Sequence, residues 1–278
     1  MRAPAKLNLT LEVGNRREDG YHPLTSVMVH IALFDEIIIE QTESGIEFET
    51  NAVYLKNDDK NLCVLAAKRF FEAAGIDGGV KINLKKLIPS KSGMGGGSAD
   101  AAAVIELMEG LFGKLEGNKA KEIALSLGAD VPFCMTHTPA LCEGIGERIT
   151  PVSLSDRRLY VVVAKNAQKP STAKVYSDFD ENPALFTGSH ADVIRGLETG
   201  NFALIKSGMC NVFEKNIFAS CPEAEELRKK LVELGAFAAR MTGAGPTVFG
   251  LFETRRCAVK ALEKLRKDRI LSYFAYVI

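Results

Sequence analysis

No apolar run in this 278-residue chain approaches the length of a membrane span, and stretches such as LYVVVA fall far short of one. Metal chemistry has little to stand on. The four histidines (His22, His30, His137, His190) show no zinc-site spacing, and there is no G-x-S-x-G elbow for serine hydrolysis. The six cysteines are scattered without a C-x-x-C pair, which predicts reduced thiols rather than disulfides. The opening MRAPAKLNLTLEV alternates apolar with polar and lacks the apolar core of a signal peptide, so the expected compartment is the cytoplasm. Nor is either sign of charge in excess, with 35 basic and 35 acidic residues. That argues against nucleic acid or an anionic membrane as the main partner.

What is present is the composition of a globular protein, 46% hydrophobic and 25% charged, long enough for two domains. From Ala5 to Val13 the odd positions are apolar and the even ones polar, which predicts a strand carrying Lys6 and Asn8 on one face. Strand-like runs follow at LTSVMVHIAL, DEIIIEQ and IEFET. NLCVLAAKRFFEAAG then has helical spacing and a terminal glycine, and GGVKINLKK reads as a strand. Helices are expected from Ala99 to Phe112 and from Asn118 to Leu127. Beyond a boundary at 153/154, RLYVVVAK, PEAEELRKKLVELG, AFAARM, TVFGLFE, RRCAVKALEKLRKD and ILSYFAYVI form a β-α-β-β-α-β series, the split unit of a ferredoxin-like sandwich. AKNAQKPSTAK reads as a loop, and residues 182 to 218 as loops and short helices.

Between the GGVKINLKK strand and the next helix lies PSKSGMGGGSADAAA, with Gly93, Gly95, Gly96 and Gly97 close together. Glycine lets backbone N–H groups approach an anion, and the helix N-terminus adds partial positive charge. Ser98 supplies a hydroxyl or an N-cap, and Lys91 a point charge. A merely tight turn is the alternative, but each glycine costs about 0.5–1 kcal/mol relative to alanine. A P-loop NTPase is excluded, because the only Gly-Lys pair, Gly113-Lys114, is followed by Leu115. No H-R-D or D-F-G segment supports a protein kinase, and no βαβ repeat supports a Rossmann domain.

Four other features carry candidate chemistry, each with a plainer alternative. Lys6 and Asn8 are either functional or the solvated face of an edge strand. Asp19-Gly20 marks a turn, and Tyr21 and His22 after it either contact a ligand base or only decorate a hairpin. Asp130, in LGADVPFC, is a carboxylate in apolar surroundings, either functional or an Asx-type turn or helix cap. TGAGPTVFGLF holds a second glycine turn, Gly243 and Gly245, which alone would be a hairpin.

In this order, PAKLNL, DGYH, P-x(3)-G-M-G-G-G-S-x-x-A-A, GADVP and TGAGPTVFGLF resemble the GHMP small-molecule kinases, over nearly the whole chain from Pro4 to about Phe252. The DGYH and GADVP segments point to the branch whose acceptor is a cytidine-diphosphate-linked polyol. The resemblance implies an α+β fold with an N-terminal domain like domain 2 of ribosomal protein S5 and a C-terminal ferredoxin-like domain. It implies transfer of the γ-phosphate of ATP, with Mg2+, to the acceptor's 2-hydroxyl. Asp130 would be the base, and Lys6 the cation that stabilises negative charge and keeps Asp130 ionised. Asn8 would orient the substrate, while Tyr21 and His22 hold the cytosine and Tyr176 stacks on it. The ATP loop would comprise Pro89, Ser90, Lys91, Ser92, Gly93, Met94, Gly95, Gly96, Gly97, Ser98 and Ala99. Lys91-Ser92 depart from the small Gly/Ala pair common in that loop. Ala99-Asp100 replace the frequent Ser-Asn, and Asp100 either favours the helix dipole or lies near Mg2+. The same fold with homoserine or a mevalonate relative as acceptor is an alternative, as is a non-catalytic nucleotide- or RNA-binding protein. Oligomeric state and magnesium ligands are left open by the sequence.

Overall fold

The structure, a computed structural model, describes residues 1–166 and 171–278. The first elements in chain order are β1 (Arg2–Asn8), β2 (Thr10–Val13), β3 (Leu24–Thr42), β4 (Gly45–Thr50), α1 (Leu62–Ala74) and β5 (Gly79–Lys85). Next come α2 (Gly96–Phe112), α3 (Lys119–Leu127), the single turn α4 (Val131–Cys134), β6 (Ala140–Gly144), β7 (Arg148–Pro151) and β8 (Tyr160–Lys165). After these stand α5 (Thr172–Glu181), α6 (His190–Thr199), α7 (Phe202–Gly208), β9 (Cys210–Asn211) and α8 (Glu214–Ser220). The chain ends with α9 (Pro222–Glu233), β10 (Ala238–Met241), β11 (Val248–Phe252), α10 (Arg255–Lys267) and β12 (Leu271–Tyr276). Its contacts divide it into two compact units, one of residues 1–5, 33–90 and 95–137, the other of 6–32, 91–94 and 138–278.

In the first unit β5 pairs parallel with β4, Ile46 opposite Val80, and antiparallel with the second half of β3, Ile37 opposite Leu84. Helix α1 forms where predicted. Asn61 caps its start, accepting from the Cys63 N–H at 3.0 Å, and Gly75 ends it with φ 65°, a left-handed conformation suited to glycine. Phe70, Ile82, Val104, Ile105, Met108 and Phe133 fill this core. Helix α2 starts at Gly96, three residues before the expected Ala99, so the last glycines of the loop are helical. LTSVMVHIAL and DEIIIEQ, expected as separate runs, are one 19-residue strand. Asp35 sits inside it fully buried, because its carboxylate is satisfied by the Leu87 and Ile88 N–H groups and by Lys86.

The second unit contains the predicted split sandwich. Strands β10, β11, β8 and β12 lie in that order and pair antiparallel, with Val162 opposite both Gly250 and Phe274. Helices α9 and α10 pack on this sheet. Ala258, Ala261, Leu262 and Leu265 form the buried stripe of α10, spaced as one helix face requires. Between β8 and α9 the chain inserts α5 to α8 and β9. Part of the predicted AKNAQKPSTAK loop lies outside the described residues. A second set of strands joins β2 to β3 and to β9, β3 to β6, and β6 to β7. No helix among the described residues is long and apolar enough to cross a membrane.

Candidate active site

Lys6 and Asn8 project from the same face of β1, as the alternation predicted. The solvated-face alternative fails, because both are buried, at 3% and 2% exposure. A buried ammonium needs partners. Lys6 Nζ donates to Asn8 Oδ1 at 2.8 Å, and that oxygen also accepts from the Gly243 N–H at 3.0 Å. Asn8 Nδ2 donates to Ser26 Oγ at 2.8 Å, which in turn donates to the Thr10 carbonyl. Asn211 secures the turn that carries Gly243, its Nδ2 donating to the Met241 and Gly243 carbonyls, each at 2.9 Å. Ser26 and Asn211 had no signal in the sequence, because each acts on a partner distant along the chain or through ordinary residue chemistry.

TGAGP is the hairpin turn between β10 and β11, so the plainer reading of its connectivity holds. It also packs against the other glycine segment. A Cβ added to Gly93 would lie 2.5 Å from the Thr242 carbonyl oxygen, and one on Gly243 would lie 2.9 Å from the Gly93 oxygen. The Lys6 N–H donates to the Met94 carbonyl at 2.9 Å, tying this stretch to β1. Lys91 adopts φ 49°, a left-handed conformation rare for lysine, and Ser92 is buried. The Lys91 carbonyl accepts from Lys165 Nζ at 3.1 Å. Burial and the neighbouring Lys91 charge pull the Lys165 ammonium below its ordinary pKa. Two cations thus meet at the start of the glycine loop, and Lys165 is one the sequence did not single out.

In the first unit, Gly95 is the N-cap of α2 with φ 67°, and no side chain caps the helix. Ser98 therefore stands inside the helix and is not its cap. A Cβ on Gly96 would meet Ile88 Cγ2 at 3.0 Å and Lys86 Nζ at 3.2 Å. Gly97 differs. It is exposed, and its added Cβ would find only Leu62 Cδ1 at an ordinary 3.6 Å. Packing accounts for Gly93 and Gly96, while Gly97 is small with no neighbour that requires it.

Asp100, in α2, faces neither solvent nor an open helix end. It is buried against Lys86, whose Nζ reaches Asp100 Oδ2 at 2.6 Å and also Asp35 Oδ2. Burial drives the Asp100 carboxyl up to about 7, with Lys86 opposing the rise and Asp35 adding to it. Burial also works against the Lys86 charge, but the two carboxylates outweigh it and hold the ammonium above its usual value.

His22 and Tyr176 come together in the second unit, with ring centroids 4.9 Å apart. His22 Nε2 lies 2.7 Å from Asp180 Oδ1, and Tyr176 rests edge-on against Phe213. Tyr21 is 60% exposed, an aromatic ring offered to solvent beside a buried imidazole. Asp130 belongs to the first unit and stands at the N-cap position of α4 without its side chain capping it, which removes the cap explanation. Pro89 and Ser90 lead from β5 toward the loop, and Ala99 is buried in α2. Among the described residues no three His, Cys, Asp or Glu side chains cluster as a metal cage. Magnesium bound with a nucleotide commonly takes only one or two protein ligands, the phosphates supplying others.

Comparison with known proteins shows the family. Residues 61–138 match the GHMP kinases N-terminal domain, and residues 193–269 match the GHMP kinases C-terminal domain. A 4-diphosphocytidyl-2-C-methyl-D-erythritol kinase of Clostridium botulinum (strain Eklund 17B / Type B) is 37% identical over 271 residues, covering 97% of this chain and 96% of the relative. One of that name from Alkaliphilus oremlandii is 36% identical over 267 residues, covering 95% and 91%. A crystal structure of 4-(cytidine 5'-diphospho)-2C-methyl-D-erythritol kinase superposes with a TM-score of 0.86 at 33% identity, over 100% of this chain and 98% of that one. Homoserine kinase from Cytophaga hutchinsonii shares the fold, with a TM-score of 0.79 at 20% identity over 100% and 93% of the two chains.

Proposed function

The chain belongs to the GHMP kinase family, and from that premise we propose that it transfers the γ-phosphate of ATP to the 2-hydroxyl of 4-diphosphocytidyl-2-C-methyl-D-erythritol. The observation that carries this is similarity along almost the full chain to kinases of that name, at 37% identity. The N-terminal domain is taken as 1–153 and the C-terminal domain as 154–278.

Phosphoryl transfer asks for positioning and charge stabilisation more than for covalent chemistry. The backbone N–H groups at the start of α2 suit the phosphates, and the open surface at Gly97 admits them without a side chain in the way. Lys91 and Lys165 add positive charge. Magnesium, when bound with ATP, neutralises the phosphates and polarises the transferred group. Lys6 supplies the fixed cation, and Asn8 holds its ammonium in place. Asp130 takes the proton from the acceptor hydroxyl, a role typically worth ~10²–10⁴-fold. His22 and Tyr176 hold the cytosine, with Tyr21 as a second ring. No nucleic acid or membrane partner is proposed, in keeping with a net charge of zero.

Competition tests the acceptor assignment. Cytidine diphosphate should inhibit competitively against the acceptor, and uridine diphosphate should inhibit poorly. Equal indifference to both nucleotides would point instead to a small acceptor such as homoserine.

A further inference from the structure

The cluster of Asp35, Lys86 and Asp100 in the first unit is used by none of the proposed chemical steps, yet it lies directly behind the glycine segment. Its side chains are 0%, 9% and 3% exposed. Lys86 ends the run from β5, and its backbone N–H and carbonyl are both held by the Asn51 side chain. Asp35 comes from β3 and accepts from the Leu87 N–H at 2.5 Å and the Ile88 N–H at 2.9 Å. Asp100 comes from the second turn of α2. Three segments that frame the loop are therefore joined through one ammonium.

The charges do not balance. One lysine faces two carboxylates in a site closed to water. Two backbone N–H groups point at the Asp35 carboxylate. The surplus falls on Asp100, whose Oδ1 is buried with no hydrogen-bond partner among the described residues. Among the described residues the Cys63 thiol of α1 also faces the cluster, and burial and the Asp100 charge push it well above its usual value. It stays neutral and adds no charge to the cluster. A proton on Asp100 is the simplest completion of the cluster.

We propose that Asp100, acting through Lys86 and Asp35, is a positioning residue for nucleotide binding: the cluster fixes the first turns of α2 against the end of β5 and so sets where the N–H groups of Gly96, Gly97 and Ser98 stand. This rests on the assignment of those N–H groups to ATP phosphates. Gly96 shows how closely the parts are fitted, since a Cβ there would stand 3.0 Å from Ile88 Cγ2 and 3.2 Å from the Lys86 ammonium, tighter than ordinary contact. The proton on Asp100 matters for the same reason. An uncompensated carboxylate behind an anion site repels the anion, so nucleotide affinity falls as pH rises and Asp100 ionises.

Binding of ADP, and of a non-hydrolysable ATP analogue, to the intact protein tests this by calorimetry from about pH 6 to about pH 8, the range around the Asp100 value of about 7. Asp100→Asn keeps an acceptor for Lys86 without the surplus charge, and should bind at every pH as the wild type does at the acidic end. Asp100→Ala removes the strap and should weaken nucleotide binding about tenfold, leaving the acceptor KM and the kcat at saturating ATP unchanged. If Asp100→Ala does not fold, the Asp100→Asn profile decides alone. A wild-type slope retained in Asp100→Asn, or wild-type affinity in both variants, overturns the proposal while leaving the kinase assignment intact. A wild-type protein that binds no nucleotide overturns both.

Discussion

Lys6 and Asn8 share one hydrogen bond, Nζ to Oδ1 at 2.8 Å, and the same Asn8 oxygen accepts from the Gly243 N–H. The lysine is therefore held from behind by the turn between β10 and β11. Asn8→Ala removes the acceptor that both donors share. Activity should drop on the order of a hundredfold, the scale at which misplacing a reacting group acts. The loss should appear in kcat more than in either KM. Asn8→Asp restores an acceptor and should recover part of it.

Gly97 offers a test in which stability and binding move in opposite directions. Gly97→Ala fills open space in a helix and should stabilise the protein by about 0.5–1 kcal/mol. It should also weaken ATP binding on the order of tenfold, because the new methyl group occupies the surface proposed for the phosphates. Gly93→Ala should destabilise, since φ is 74° and the Thr242 carbonyl is in the way. Thermal melts and nucleotide titrations of both variants check the contrast.

Asp100 gives stability a defined pH dependence. Its carboxyl stands at about 7 in the folded chain against an ordinary 3.8, so between those values the folded state binds more protons than the unfolded one. Its contribution is complete below the ordinary value and is lost as pH rises through about 7. Urea unfolding of the wild type should show stability declining across that window by a few kcal/mol relative to Asp100→Asn. Parallel curves for the two proteins would mean that Asp100 is ionised throughout.

Lys165 should act on the nucleotide alone. Lys165→Met should raise the KM for ATP about tenfold, the scale of one charge-assisted hydrogen bond. The acceptor KM should not move. Steady-state kinetics with each substrate varied in turn separates the two.

Tyr176 should report on the acceptor instead. Tyr176→Ala should raise the acceptor KM by about threefold to tenfold, in line with the worth of an aromatic contact. Tyr176→Phe keeps the ring that meets His22 and should retain most of the acceptor affinity. A matching loss in ATP affinity would place this ring elsewhere.

The ferredoxin-like half was legible in the sequence because each of its elements is bounded by its own signals. Pro222 opens α9, Gly235 follows its end, and the apolar stripe of α10 repeats at helical spacing. The first unit was less legible. Asp35 is a charge in the middle of a strand, and only Lys86, Leu87 and Ile88, far along the chain, explain why β3 continues through it. At the site, alternation located Lys6 and Asn8 on one face, and glycine density located the loop. The division of labour among those glycines was not legible. Gly93 is small because Thr242 lies against it and Gly96 because Lys86 does, which leaves Gly97 as the position that packing does not explain. Asn211 left no trace, since an asparagine clamping two carbonyls reads like any other polar residue until the fold brings them together.

ADP release measured with purified protein, ATP, magnesium and three acceptors in parallel is the most direct test of function. Turnover should be rapid with 4-diphosphocytidyl-2-C-methyl-D-erythritol and at background with homoserine and mevalonate, and Asp130→Asn should abolish it. Turnover with homoserine or mevalonate but not with the cytidylylated polyol would contradict the assignment, as would an Asp130→Asn variant of wild-type activity.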